Sequence, residues 1–251
     1  MNNRDWLGGW FGKYVLPGII FQSVLIGGGY ATGREIVEYG ARFGAMGLWT
    51  IAAIFVGFAA TSILAFELAR VFKAYDYRNW IRQLIWKFWP LFDLLFIVMS
   101  VIVIAVVGSA TGNIAQEILG WPYWFGVLVV ITVVGILTFL GRSAIERFKT
   151  FGTALLYLGY IVFAAIVLSQ RWGHVQEVLA SGDTSFTGPV SVGTVIWIGI
   201  LYVAYNLVVL PATFFSLDRQ TERKHTVWSG IIAGLLATVP FVLTYLCVLS
   251  F

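Results

Sequence analysis

The chain has 251 residues, of which 59% are hydrophobic and 11% charged, with 20 Phe, 11 Trp and 11 Tyr and a net charge of +4. That much apolar surface excludes a water-soluble domain, and several runs exceed the roughly 18 residues that mark a bilayer-spanning helix. The basic residues are scattered through loops, which argues against a nucleic-acid partner, and a single cysteine, Cys247, excludes an internal disulfide and a cysteine-based metal site.

An all-α integral membrane protein forming one helical unit is therefore expected. Met1 to Tyr14 is short and mixed in charge, lacks a signal-peptide pattern, and runs directly into a long apolar segment. Apolar runs between charged punctuation predict seven spans, at about 14–43, 44–72, 91–118, 123–141, 150–169, 191–217 and 227–249. With the N-terminus in the cytoplasm, thirteen of the 16 lysines and arginines fall on the inner side, leaving only Arg34, Arg42 and Arg171 outside. That asymmetry predicts a multi-pass protein of the cell membrane with a cytoplasmic N-terminus.

Span 14–43 contains Gly27, Gly28 and Gly29 at its middle. A continuous helix of about 30 residues would reach roughly 45 Å at 1.5 Å per residue, longer than the apolar core, although tilt absorbs such an excess. Each glycine costs about 1 kcal/mol relative to alanine in a helix. Thr32-Gly33-Arg34-Glu35 then matches a capping box, with Thr32 as N-cap and Glu35 reaching back to the freed backbone. Glycine patches also serve close helix packing, but a continuous helix has no use for an N-cap. The capping box favours a break, and broken backbone at membrane depth needs a buried or polar cavity around it.

Between the second and third spans, residues 77–90 place Trp80, Leu84, Ile85 and Phe88 at helical spacing, with Arg78, Arg82 and Lys87 free to reach outward. A short helix on the inner membrane surface is expected there. On the third span, Asn113 is the best candidate for a functional contact among Ser109, Thr111 and Asn113. Residues 169–189 read as an outer polar loop, in which His174 has one acidic neighbour, Glu177.

The sixth span carries Tyr202, Tyr205 and Asn206 near its midpoint and Pro211 about a turn later. Proline donates no backbone hydrogen bond, so it loosens the helix near Asn206 and Leu207. A proline kink with aromatic packing explains this span taken alone. Two interrupted spans, five apart and oppositely directed, point instead to an inverted-repeat transporter with its site at the midplane.

Two stretches carry a family resemblance. "GGGYATGREIVEYGARFGAMGLW" (27–49) resembles the first-helix signature of the YkvI-type membrane proteins, related to the amino acid/polyamine/organocation superfamily, and "YVAYNLVVLP" (202–211) looks like their sixth helix. The resemblance implies a LeuT-like inverted-repeat helical bundle with discontinuous helices 1 and 6. In it, Gly27, Gly28 and Gly29 form the unwound part of helix 1, and Tyr205 and Asn206 that of helix 6. The implied fold has ten spans and this chain seven, so the expectation is a truncated or shortened bundle lacking helices eight to ten. The coupling ion, Na+ or H+, is left open because helix eight contributes to the sodium site of related transporters.

The expected substrate-binding set is Gln22, Ser23, Gly27, Gly28, Gly29, Thr32, Asn113, Tyr202, Tyr205 and Asn206. Arg34 and Glu38, four apart, share a helix face and form either an internal pair or an outer gate. Glu67 and Asp93 read as interfacial. No hydrolytic or redox motif, phosphate loop or metal cluster emerges, so neither an enzyme nor a resident cofactor is expected. The predicted partners are a small-molecule substrate and the lipid bilayer. The expected function is alternating-access transport of an amino acid or organic amine. A membrane receptor or sensor subunit that binds its ligand without moving it is the alternative.

Overall fold

The computed structural model describes Leu7, residues 9–26 and residues 33–251. Its helices, in chain order, are α1 (Trp10–Tyr14), α2 (Leu16–Leu25), α3 (Arg34–Tyr39), α4 (Gly47–Phe72), α5 (Tyr77–Ile85), α6 (Trp89–Glu117), α7 (Tyr123–Leu140), α8 (Arg142–Ser181), α9 (Val192–Asn206) and α10 (Arg223–Leu249). Tighter 3-10 segments cover Ala41–Met46, Trp86–Phe88 and Leu207–Arg219. Among the described residues there is no strand, and six stretches are long and apolar enough to cross a membrane.

The bundle is organised around α10. A carbon added at Gly234 would lie 2.8 Å from the Cβ of Ala59, and one at Gly230 would lie 2.7 Å from the backbone nitrogen of Ile63. Glycines four apart on α10 therefore let α4 approach backbone to backbone, the small-residue packing available where lipid offers no hydrophobic drive. Gly18 brings α2 equally close to Ala233. Between these helices, Phe21, Phe58, Tyr202, Phe214, Phe241 and Tyr245 form the aromatic part of one buried core. α6 packs mainly on α7, with Gly112 against the ring of Tyr123 and Gly126 against the Thr111 carbonyl.

Pro240 lies inside α10 and cannot donate the bond that would reach the carbonyl of Leu236. The Tyr157 hydroxyl on α8 donates to that carbonyl instead. The proline thus ties α8 to α10 through an acceptor it has itself left free.

Against the sequence reading, the structure interrupts two spans where a break was expected and departs from it in two other places, each with a local cause. The first predicted span is interrupted where a break was expected: α2 ends at Leu25, Ile26 is extended (φ −76°, ψ 90°), and α3 begins at Arg34 after Gly33. The loop expected over 169–189 is helical as far as Ser181, because Val175 is fully buried and Val178 and Leu179 pack on the core at helical spacing. A local distortion at Arg171 (φ −127°, ψ 16°) bends α8 there, and the loop begins at Gly182. The sixth predicted span stops being α-helical at Asn206. Finally, the expected surface helix forms as α5, capped by Asp76 accepting from the Asn79 backbone, but Trp80 turns inward. Its indole donates to the Ala65 carbonyl at 3.1 Å, and its ring packs on Phe214.

Candidate functional site

The two interruptions meet. On the first, Gly33 takes a left-handed conformation (φ 74°) that glycine accepts without strain, and α3 starts after it. This corrects the expected capping box. The N-cap position belongs to Gly33, which has no side chain to cap with, and no side-chain cap is made. Thr32, like Gly27, Gly28 and Gly29, lies outside the described residues. Glu35 therefore does not act as the predicted cap partner and is available elsewhere.

On the second interruption, α9 gives way at Leu207 to thirteen residues of 3-10 helix containing Pro211. Runs of 3-10 helix beyond three or four residues are uncommon, and within a helix they often mark a hinge or strain. Pro211 clashes with a regular turn and removes one donor. Thr213 donates to the Leu210 carbonyl at 2.7 Å and Ser216 to the Thr213 carbonyl at 2.7 Å, so side chains satisfy acceptors that a tight turn leaves exposed.

Where α3 passes the end of α9, three tyrosines converge. The Tyr39 ring lies 5.1 Å from that of Tyr202 and is stacked on Tyr205 at 6.0 Å, while Tyr202 and Tyr205 meet edge to face at 5.6 Å. Tyr202 also packs against Phe58 and Phe241, which locks the cluster to α4 and α10. Glu35 lies one turn before Tyr39 on α3. Its Oε2 is buried without a geometric hydrogen bond.

The other expected site residues divide by position. Gln22 on α2 is buried, and neither amide atom has a partner. Ser23 spends its hydroxyl on the Ile20 carbonyl at 2.7 Å. Asn206 is buried and donates to the Tyr202 carbonyl at 2.9 Å. Asn113 is exposed on α6 and makes no hydrogen bond among the described residues. Arg34 and Glu38 pair at 3.8 Å with both side chains mostly in the open. Exposed pairs of this kind contribute at most about 1 kcal/mol.

Below Ile26 lies a cavity of about 580 Å³ between α2, α6, α7 and α8. Ser23, Thr138 and Thr153 line it with apolar groups, and Lys149 is the one charged side chain on its wall among the described residues.

At the opposite end of the broken sixth segment stands a charge network the sequence reading did not single out. Glu146 on α8 is fully buried. It accepts from Arg142 Nε at 2.9 Å and from Arg219 Nη1 and Nη2 at 2.8 and 2.9 Å. Arg142 in turn grips Asp218 with two bonds of 2.8 and 2.7 Å. The network fastens the first turn of α8 to the last residues of the 3-10 segment. α1 covers the same end: Gln220 donates to the Lys13 carbonyl, and Tyr14 meets His225 edge to face. Nearby, Glu67 joins Arg70 and the Thr226 hydroxyl, linking α4 to α10. Only the Arg142–Glu146 spacing of four was visible in sequence, because Asp218 and Arg219 arrive from more than seventy residues away.

Comparison with known proteins adds a membrane-protein relative. The chain is 23% identical over 247 residues to "Uncharacterized membrane protein YkvI" of Bacillus subtilis (strain 168), an alignment covering 90% of this chain. The chain spans 64% of that relative's length. No protein-family model matches the chain, and no solved structure does. Six long apolar helices together with this relative make the chain a multi-pass membrane protein.

Proposed function

We propose that the protein is a secondary transporter of a small organic solute, an amino acid or organic amine, working by alternating access in the cell membrane. The observation that carries this reading is the meeting of the two interrupted segments through Tyr39, Tyr202 and Tyr205. Non-helical backbone at membrane depth survives only when protein buries it or a cavity needs it. Paired interruptions supply free backbone groups of both polarities, which suits a zwitterion or an amine. A LeuT-like arrangement accounts for interruptions in the first and sixth segments.

With a cytoplasmic N-terminus, the Glu146–Arg219–Arg142–Asp218 network and α1 close the inner end, while Arg34 and Glu38 stand at the outer mouth. Movement of the 3-10 segment against α8 would then open the inner side. Na+ or H+ remains the choice of coupling ion.

The test is uptake by the full-length gene product in proteoliposomes, across labelled amino acids and amines. Saturable, competable accumulation of one class supports transport. Saturable stabilisation by a solute with no flux would replace transport by the receptor or sensor reading. Neither flux nor stabilisation by any solute would remove the site itself.

A further inference from the structure

The surroundings of α5 sort sharply by polarity. A cavity of about 530 Å³ lies between α4, α5, the start of α6 and the 3-10 segment Leu207–Arg219, with Trp80, Ile81, Leu84, Phe92, Pro211 and Phe214 on its wall. That volume falls within the range of small-molecule sites, roughly 300–1,000 Å³. Among the described residues, the wall offers no free polar side chain. Thr61 donates to the Gly57 carbonyl of its own helix at 2.7 Å, and the Trp80 indole is spent on the Ala65 carbonyl. Such a cavity accepts hydrocarbon and has nothing with which to hold a polar solute.

Its rim is cationic. Arg78, Arg82 and Lys87 lie on α5 and in the turn after it, and all three are exposed. Arg78 pairs with Asp93 at 3.1 Å, but neither Arg82 nor Lys87 forms an ion pair among the described residues. Arg82 lies over the Trp89 ring at 4.2 Å, one turn before Phe92 on the cavity wall, and Lys87 over the Trp86 ring at 4.8 Å. The exposed rings of Trp86 and Phe88 stand beside them, the composition of a helix at the membrane–water boundary. Two unneutralised cations beside a hydrocarbon-lined cavity match an amphiphile with an anionic head.

We propose that this is a binding site for an anionic phospholipid of the leaflet in which α5 lies, its phosphate held by Arg82 and Lys87 and one acyl chain seated against Trp80, Leu84 and Phe214. Charge-assisted bonds from guanidinium and ammonium groups to phosphate oxygens are the strong ones, and basic clusters beside membrane helices select anionic lipid heads. Leu207, Pro211 and Phe214 belong to the 3-10 segment, so the bound chain braces the end of the broken sixth segment. The site is separate from the solute site proposed above and stands whether or not the protein transports.

The experiment is native mass spectrometry of the full-length protein in detergent. The probes are phosphatidylglycerol, phosphatidylcholine with the same acyl chains, and glycerol phosphate, which has a head and no chain. The expected result is saturable binding of phosphatidylglycerol, about tenfold or more tighter than phosphatidylcholine, with no binding of glycerol phosphate. Each basic side chain near the surface favours anionic lipid by about fivefold, so Arg82→Gln with Lys87→Gln should bring the two phospholipids to near parity. Both side chains are exposed, so this variant should fold. Ala204→Phe places a ring in the cavity from an exposed position and should weaken both phospholipids several-fold. Leu84→Asn, also on an exposed part of the wall, should do the same and serves if the phenylalanine variant does not fold.

Equal affinity of the wild type for the two phospholipids would overturn the inference. So would a preference that survives Arg82→Gln with Lys87→Gln. Glycerol phosphate binding as tightly as phosphatidylglycerol would make this a soluble-anion site in place of a lipid site. Binding untouched by both Ala204→Phe and Leu84→Asn would leave only surface attraction, with no chain in the cavity, and the inference would fall. A dimer that excludes lipid would assign the cavity to a second copy of the chain. None of these readouts depends on flux, so failure here leaves the transport proposal to its own uptake test.

Discussion

Replacing Glu146 by glutamine tests whether burial, rather than the count of ion pairs, sets the strength of the charge network. Glu146 is 0% exposed and accepts three bonds from two arginines, whereas Asp218 is 42% exposed and shares only Arg142, itself 38% exposed. In Glu146→Gln, the amide nitrogen faces a guanidinium donor, and Arg219, 21% exposed, loses its only charged partner among the described residues. Breaking a buried pair by removing one partner costs about 3–5 kcal/mol, and water reaching the two arginines recovers part of that, so the expected loss is about 2–3 kcal/mol. Asp218→Asn breaks a half-exposed pair and should cost about 1 kcal/mol or less. Both are measured by SDS-driven unfolding of the purified protein in mixed micelles, followed by tryptophan fluorescence. The double variant Glu146→Gln with Arg219→Gln should lose less than the sum of the singles, since each removes the other's stranded charge. If the two carboxylate substitutions cost the same, or Asp218→Asn costs more, the hierarchy drawn from burial is wrong.

Three further substitutions probe packing and backbone. Tyr157→Phe strands the Leu236 carbonyl that Pro240 leaves without a donor, and should cost about 1–2 kcal/mol in the same unfolding assay, more than a tyrosine making no such bond. Gly44→Ala should cost about 2 kcal/mol or more, because Gly44 sits at φ 52°, ψ −132° and an added Cβ would fall 1.9 Å from the Asp183 carbonyl oxygen. A neutral result there would mean that the 41–46 segment does not hold this conformation. Gly234→Val should cost about 1–3 kcal/mol by wedging α10 from α4, while Gly159→Ala, with nothing within 4 Å of its added carbon, should be neutral or stabilise by up to about 1 kcal/mol.

The fold was legible wherever apolar length alone decided it. The helices at 47–72, 89–117, 123–140 and 223–249 follow the predicted spans closely, because uninterrupted apolar runs bounded by charge admit little else. The extension of α8 to Ser181 was not legible, since its helical period is carried by few apolar residues, chiefly Val175, Val178 and Leu179, among polar ones that read as loop. The change from α to 3-10 helix after Asn206 was half legible. Pro211 announced the disturbance, but its length depended on Thr213 and Ser216 supplying bonds that a sequence cannot locate.

Glu35 shows why the site was harder to read than the fold. In sequence, a threonine three residues before a glutamate forms a local pattern, and local patterns are all that spacing reveals. Gly33 alters that geometry by occupying the N-cap position itself with positive φ, after which the glutamate has no cap to complete. One turn further on, Tyr39 meets Tyr202 and Tyr205, which come from a distant part of the sequence and are brought near only because α3 packs on α9 and α10. Tyr202 and Tyr205 were visible as costly polar groups in mid-span, and so was the interruption beside Glu35. What the sequence could not supply was the contact between the two broken segments, made by Tyr39 with Tyr202 and Tyr205, and one turn before Tyr39 the Glu35 side chain keeps a buried Oε2 with no hydrogen bond.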